Sequence, residues 1–370
     1  MSRYCFFIAA SWGDAAVAKH FKALANLLVH RGHLVVYLTH GQQVNLDEGH
    51  LHVRSFPSRR PTKPRDFMFL DRLIRTYRPD CMIANFGAVN VMTIMGWLHK
   101  VPCRVDWYHS FSKAFELGDE RSRWVRHALI LRKRLVYGLA SHVVAVSQAT
   151  RDDLLSTYKI DMAKTHVIYN TLADPLEHLK APSAMRPEPV VVCAGGFHPW
   201  KGQDVLIRAF SKAGRSFPHV RLELIGDGPQ SSKYRQLIQE EALEDRCFLA
   251  GRLSHYQVLQ KMHKSWVVVV PSRYDSFPYV VIEALAVGVP VIASQVGGIP
   301  EAVRDGQDGF LVPPDDPQAL ADRLRLILSD PALRDQMGQN ARRHFLECFE
   351  QRANIVKQAD WFEALVASSK

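Results

Sequence analysis

The sequence predicts an α/β protein of two domains, each a parallel sheet flanked by helices. Short apolar runs recur along the chain and are separated by longer amphipathic stretches, the alternation that βα units produce. Several runs, above all Trp266-Val267-Val268-Val269-Val270, are apolar without interruption, as strands covered on both faces must be. A proline-rich stretch then divides the alternation into two sets, with Pro175, Pro182, Pro187 and Pro189 falling within about fifteen residues.

The first run, residues 4–10, follows a single Arg3 and is only a strand long, so it reads as a first strand and not as a signal peptide. Further strands are expected at 34–38, 80–84, 103–107, 142–146 and 165–168, with helices between them. After Asn170 the pattern breaks. A second set follows at 190–194, 220–225, 246–249, 266–270, 290–293 and 309–312. Pro271 and Ser272 stop the strand at 266–270, and Tyr279–Val287 reads as a helix. Helices at Pro317–Leu328, Pro331–Cys348 and Arg352–Ala367 have no strand partners. The expected organisation is a domain over 1–175, a linker over 176–189, a second domain over 190–348 and a terminal helical segment over 349–370. Two βα domains on a hinge imply a cleft. No internal repeat and no low-complexity tract interrupts the pattern.

Composition narrows the function classes. The chain of 370 residues is 47% hydrophobic and 23% charged, ordinary for a soluble globular protein. No apolar run approaches a membrane span. The six cysteines are scattered without a CxxC pair, which fits reduced core thiols in a cytoplasm and not a zinc site. The net charge of +10 is uneven: residues 1–184 hold 25 Lys+Arg against 15 Asp+Glu, and residues 185–370 hold 22 against 22. Basic clusters stand at Arg54, Arg59, Arg60, Lys63 and Arg65, and at Arg121, Arg123, Arg126, Arg132, Lys133 and Arg134. Over 124–137 apolar and basic residues interleave on an expected amphipathic helix. Such a face attracts anionic lipid headgroups or an acceptor molecule carrying phosphate or carboxylate; the alternative is a solvated basic face. Nucleic acid is disfavoured, because no binding motif is present and the second half is neutral.

The most informative segment is Pro271-Ser272-Arg273-Tyr274-Asp275-Ser276-Phe277-Pro278-Tyr279-Val280-Val281-Ile282-Glu283. Asp275 falls in the loop at a strand's carboxyl end and Glu283 about one turn into the next helix. Open α/β sheets bind ligands at that place. Two acceptor-only carboxylates suit a ligand rich in hydroxyls, since one carboxylate takes both hydrogens of a vicinal diol. The bland alternative is a helix N-terminal Asp and a solvated Glu.

This segment resembles the acidic-x7-acidic signature of the retaining GT-B glycosyltransferases, family 4 in particular. The match continues through Gly288-Val289-Pro290, Gly297-Gly298-Ile299-Pro300-Glu301 and Asp308-Gly309-Phe310. Upstream, Gly195-Gly196-Phe197-His198-Pro199-Trp200-Lys201-Gly202 looks like the first phosphate loop of the same domain, and Ile225-Gly226-Asp227-Gly228-Pro229 like its second glycine loop. The specific likeness covers roughly 190–330. It is weaker from 1 to 180, resting on Arg31-Gly32-His33, Val146-Ser147 and Ile168-Tyr169-Asn170. The resemblance implies the GT-B fold: two Rossmann-like domains facing across a cleft, with the terminal helix crossing back to the first.

It further implies a hexosyltransferase-type enzyme that retains configuration by front-face attack, with a nucleoside-diphosphate sugar as substrate and no metal or other cofactor. Glu283 would hold the ribose diol, Asp275 the donor-sugar hydroxyls, and Lys201 the diphosphate. Backbone N–H groups around Ser276, Phe277, Pro278, Tyr279 and Val280 would extend the anion site at the helix N-terminus. Gly13, Gly226 and Gly228 would let backbone approach the phosphates. Arg252 lies where the fold contacts the nucleotide. His109, just after the strand ending at Trp107, resembles the family's active-site histidine, with a structural role as the alternative. Asp106 reads as a core or capping group, and Ser147 and Asn170 as equally a helix cap and a turn residue. The acceptor would be a glycan or lipid-linked hydroxyl, in cell-surface polysaccharide or glycolipid synthesis at the cytoplasmic face of a membrane.

Three departures stand out. Gly196 occupies the position where the family usually has Arg, so a second cation is missing or comes from Arg252 or Arg273. The first acid is Asp and not Glu, one methylene shorter. Ser11-Trp12-Gly13-Asp14-Ala15 replaces the N-terminal Gly-Gly loop. These motivate a degenerate or non-catalytic member as one alternative, and a nucleotide-sugar epimerase of the same fold as another. An NAD-dependent oxidoreductase is excluded by the missing third glycine after Gly226-Asp227-Gly228.

Overall fold

A computed structural model of the chain describes residues 4–13, 15–41, 43–112, 123–179 and 189–369. Asp14, Arg121, residues 113–120 and most of the expected linker lie outside the described residues. The chain divides into two compact units, one of 1–171 with 351–370, the other of 172–350.

The first unit begins with β1 (Cys5–Ala9), α1 (Ala16–His30) and β2 (Leu34–Thr39), followed by a hairpin of β3 (Leu46–Glu48) and β4 (Leu51–Ser55). It continues through α2 (Pro64–Tyr77), β5 (Cys81–Asn85), α3 (Val89–Leu98), β6 (Cys103–Tyr108), α4 (Arg123–Leu139), β7 (His142–Ala145), α5 (Gln148–Thr157) and β8 (Thr165–Val167). The sheet order is β3-β4-β2-β1-β5-β6-β7-β8, parallel except where β3 meets β4. Neither β3 nor β4 was anticipated. β3 is three residues long, while β4 alternates buried and half-buried residues as a half-covered strand near the sheet edge does. β1 and β5 are buried throughout, which explains why their runs are uninterrupted.

The second unit holds β9 (Val190–Ala194), α6 (Gln203–Gly214), β10 (Arg221–Ile225), α7 (Ser231–Glu240), β11 (Cys247–Gly251), α8 (His255–Lys264), β12 (Val267–Val270), α9 (Tyr279–Ala286), β13 (Val291–Ser294), α10 (Ile299–Ala302) and β14 (Gly309–Val312). Its sheet runs β11-β10-β9-β12-β13-β14, all parallel. In each sheet the strand order reverses beside the unit's first strand, at β1/β5 and at β9/β12. A doubly wound sheet opens a crevice there.

α11 (Pro317–Ser329) and α12 (Pro331–His344) complete the second unit. The expected helix over 331–348 stops at His344, and Phe345–Phe349 is a π-helical turn closed by the Glu350 N–H on the Phe345 carbonyl at 2.9 Å. The extra residue buries both Phe345 and Phe349, the latter 5.7 Å from Phe277. Residues 172–175, expected in the first domain, belong to the second unit. The Leu172 N–H donates to the Phe349 carbonyl at 3.0 Å, and Asp174 pairs with Arg342.

The last helix, α13 (Gln351–Ser368), belongs to the first unit and packs on α1. Arg31-Gly32-His33 fastens it: Arg31 reaches Asp360 at 2.7 Å and Glu363 at 3.1 Å. The Tyr4 N–H donates to His33 Nδ1, so the ring proton sits on Nε2 and points at Glu363, 2.9 Å away. Buried His20 adds bonds to Thr171 and Gln358, and burial lowers its pKa to about 4, so it remains neutral near pH 7.

Candidate functional site

The second unit gathers most of the residues singled out from sequence at the carboxyl ends of its strands. After β9 the chain makes a turn at Gly195, a 3-10 turn Pro199–Lys201, and enters α6 at Gly202. Gly202 has φ of 69°, and a Cβ there would lie 1.9 Å from the Pro271 carbonyl oxygen. Only glycine lets the loop press so closely on the end of β12. The Arg273 N–H ties the two loops by donating to the Trp200 carbonyl at 2.8 Å. As a result Lys201 Nζ meets Asp275 Oδ2 at 2.5 Å, across the switch point between β9 and β12. Asp275 is mostly buried and Lys201 about a quarter exposed.

Glu283, on the second turn of α9, is 8% exposed. Its Oε1 lies 2.8 Å from His255 Nε2, a partner that sequence reasoning missed. Ser254 and Gln257 form a capping box that places His255 at the first position of α8. That cap was legible from Ser-x-x-Gln, but nothing local pointed to Glu283. Tyr279, one turn before Glu283 on the same helix, has its hydroxyl pKa raised by burial and then by the nearby Glu283 carboxylate.

The two remaining glycines owe their identity to packing between loops. A Cβ on Gly226, where φ is 144°, would sit 2.0 Å from the Gly195 carbonyl oxygen, and one on Gly228 2.5 Å from that of Phe197. They set the shape of the two loops before any ligand is considered. Gly13 differs: a Cβ there would meet nothing within 4 Å.

Two expectations need correction. Arg273 is not a spare cation for the vacancy at Gly196. Its guanidinium holds Asp204 at 2.8 and 3.0 Å and Asp315 at 2.7 Å, and hydrogen bonding to Asp204 raises its pKa further. Arg252 is 81% exposed and only loosely paired with Asp227 at 3.6 Å, so of the two it alone is free to swing. Pro278, at the N-cap of α9, has no N–H and adds no donor to an anion site there. Phe277 contributes its ring to the core, leaving only its backbone for a ligand. Ser276, Tyr279 and Val280 precede or open the helix as expected.

His109 belongs to the first unit, directly after β6. Asn85 Nδ2 donates to the Ala9 carbonyl at 3.1 Å, which turns its Oδ1 toward His109 Nε2 at 2.8 Å. The proton is thereby placed on Nε2. Burial, with His20 adding, lowers the ring's pKa to about 3, so His109 is neutral near pH 7 and offers no cation to a diphosphate. It stacks on Phe86, centroids 4.3 Å apart, beside a pocket of about 350 Å³. Asp106 is fully buried against Thr93, and burial pushes it up to about 8, a core role. Ser147 caps α5 through the Thr150 N–H.

The model of the glycosyl transferases group 1 family matches residues 177–344, and that of glycosyltransferase family 4 matches residues 17–172. A D-inositol 3-phosphate glycosyltransferase of Streptomyces avermitilis is 32% identical over 266 residues, 66% of this chain and 56% of that protein. The match thus spans little more than half of that relative's length. Sucrose-phosphate synthase from Thermosynechococcus elongatus superposes with a TM-score of 0.80 at 23% identity, covering 99% of this chain and 100% of that one. Anabaena HepE in complex with UDP superposes at 0.76 with 22% identity, covering 98% and 100%. At such identities the two structures establish the shared GT-B fold.

Proposed function

We propose, from the premise that the chain belongs to the group 1 transferases of glycosyltransferase family 4, that it moves a sugar from a nucleoside-diphosphate donor to an acceptor hydroxyl. The observation that carries this reading is the Lys201–Asp275 pair at the switch point, with Glu283 on the helix that follows. In the proposed reaction the bond from the anomeric carbon to the diphosphate oxygen breaks. The acceptor oxygen bonds on the same face, and its proton passes to the leaving diphosphate. Lys201, Arg252 and the N–H groups opening α9 stabilise the charge that develops there, without a metal. Glu283 holds the ribose diol and Asp275 the sugar hydroxyls. His109, neutral, positions the acceptor hydroxyl by hydrogen bonding.

The test is calorimetric titration of the protein with UDP, GDP and ADP in EDTA. Selective binding of one supports the donor site and identifies the base. Binding of none moves the reading to a non-catalytic member, with Gly196 as the first suspect.

The acceptor side is proposed to work at the cytoplasmic face of a membrane, in polysaccharide or glycolipid synthesis. On α4, Trp124, Ala128, Leu131 and Leu135 fall on one helical line and are all exposed, Trp124 at 86%. Arg132 and Arg134 flank that line, so the face offers apolar insertion with headgroup attraction. No helix among the described residues is long and apolar enough to cross a membrane. Binding to vesicles rich in phosphatidylglycerol is expected at low salt and should be released by about 0.5 M salt, where screening is within several ångströms. Salt-insensitive binding, or none, removes the membrane argument.

A further inference from the structure

The first unit carries a second constellation that the donor chemistry does not use. Next to the pocket beside His109 lies a wider one of about 1250 Å³, and the two share Arg60, Thr62, Phe86 and Gly87. Arg59, Arg60, Lys63 and Arg65 line the wider pocket, and Arg132 and Lys133 the smaller. Among the described residues no Asp or Glu lines either.

Arg54 and Arg75 of the same unit are matched to acids, Arg54 to Asp47 and Arg75 to Asp71. Arg59, Arg60 and Lys63 make no ion pair among the described residues. Asp66 lies beneath them, fully buried, but it is committed to the backbone. Its carboxylate accepts the Ser58 N–H at 3.0 Å and the Lys63 N–H at 2.8 Å, and so fixes the loop that holds the cations in place. Arg65 is steadied by the Ser58 hydroxyl at 2.9 Å. Like charges held together on a preformed loop repel one another until an anion joins them.

Two further observations mark the spot as a site. Phe86, a bulky residue, has φ of 49°, a left-handed conformation that such side chains rarely adopt. Half of its surface is exposed where both pockets meet, and its ring stacks on His109. His40, also lining the wider pocket, has its Nδ1 buried without a hydrogen-bond partner among the described residues. A flat apolar ring edged by cations suits a ligand with a ring or chain on one side and a phosphate on the other.

We infer that this double pocket binds the phosphate group of a phosphorylated acceptor, with Arg59, Arg60 and Lys63 as its anion clamp. The inference rests on the first unit being the acceptor side of the proposed transferase. The phosphate belongs either to a soluble phosphate ester or to a lipid headgroup, and the chemistry of recognition is the same. The smaller pocket is of a size to take one sugar or polyol ring.

The experiment is titration of glucose 1-phosphate, and separately of glucose, into the parent protein and into Arg60→Ala/Lys63→Ala and Lys201→Ala variants. Binding of the phosphate ester is expected to weaken at least tenfold in the double variant. It should recover in Arg60→Lys/Lys63→Arg and persist in Lys201→Ala, with glucose itself binding far more weakly. Competition by phosphatidic acid vesicles then identifies a lipid headgroup, and its absence a soluble ester. Equal binding in parent and double variant, binding of glucose as tight as that of its phosphate, or no binding of either overturns the inference. Nucleotide titration of the same variants keeps this outcome separate from the donor reading, because Arg60 and Lys63 lie in the other unit.

Discussion

Lys201→Ala is expected to lower turnover by about a hundred- to a thousandfold while leaving the protein folded. The charge on a leaving diphosphate grows as its bond to the sugar breaks, so a cation held there favours the transition state over the bound substrate. Lys201 is held in the free protein by Asp275 at 2.5 Å, an orientation set by Gly202 and the close approach to Pro271. Its loss removes one partly exposed ion pair, a cost of about 1 kcal/mol and a fall of only a few degrees in Tm. The measurement is kcat and a thermal melt on the same preparation. Unchanged turnover in a folded variant sinks the assignment.

The pairing makes a second demand on the same experiment. A diphosphate must draw Lys201 away from Asp275, which releases that carboxylate for the sugar hydroxyls. Asp275→Asn should therefore bind the free nucleoside diphosphate no more weakly than the parent, yet fail to transfer sugar. If Asp275→Asn loses nucleotide affinity as well, Asp275 acts on the phosphate loop and not on the sugar.

How much of this was legible in the sequence depends on how far each residue's partners lie along the chain. The apolar runs of β1, β9 and β12 announced themselves because burial on both faces leaves no polar position. The hairpin of β3 and β4 did not, since three residues and a half-covered strand carry little pattern. Asp275 and Glu283 were legible through a motif nine residues long. His255 was not, although its cap was, because its meeting with Glu283 spans 28 residues and depends on α8 and α9 packing together. Arg273 misled for the same reason. Beside Asp275 in sequence it looked like a site cation, yet Asp204 and Asp315, both remote in sequence, hold it. Gly226 and Gly228 looked like phosphate contacts, and the contact that requires them is with the neighbouring loop.

Glu283→Ala should weaken nucleotide binding by about 2 kcal/mol, roughly thirtyfold, if its carboxylate accepts both ribose hydroxyls. The net figure is smaller than two charge-assisted bonds suggest, because in the free protein the carboxylate already engages His255 at 2.8 Å. Nucleotide must share or displace that contact. Glu283→Gln should behave almost as badly as Glu283→Ala, since an amide offers one acceptor oxygen where a diol needs two. His255→Ala should cost less than either, as it frees the carboxylate while loosening its orientation. The decisive comparison uses the 2′,3′-dideoxy form of whichever nucleotide binds. The parent should bind it about as weakly as Glu283→Ala binds the ribonucleotide, and Glu283→Ala should make no further difference to it. A ribose ligand predicts that the two losses are one and the same. Equal weakening of both nucleotides by Glu283→Ala would instead mean that Glu283 shapes the helix or the loop before it, and the ribose contact would have to be sought elsewhere.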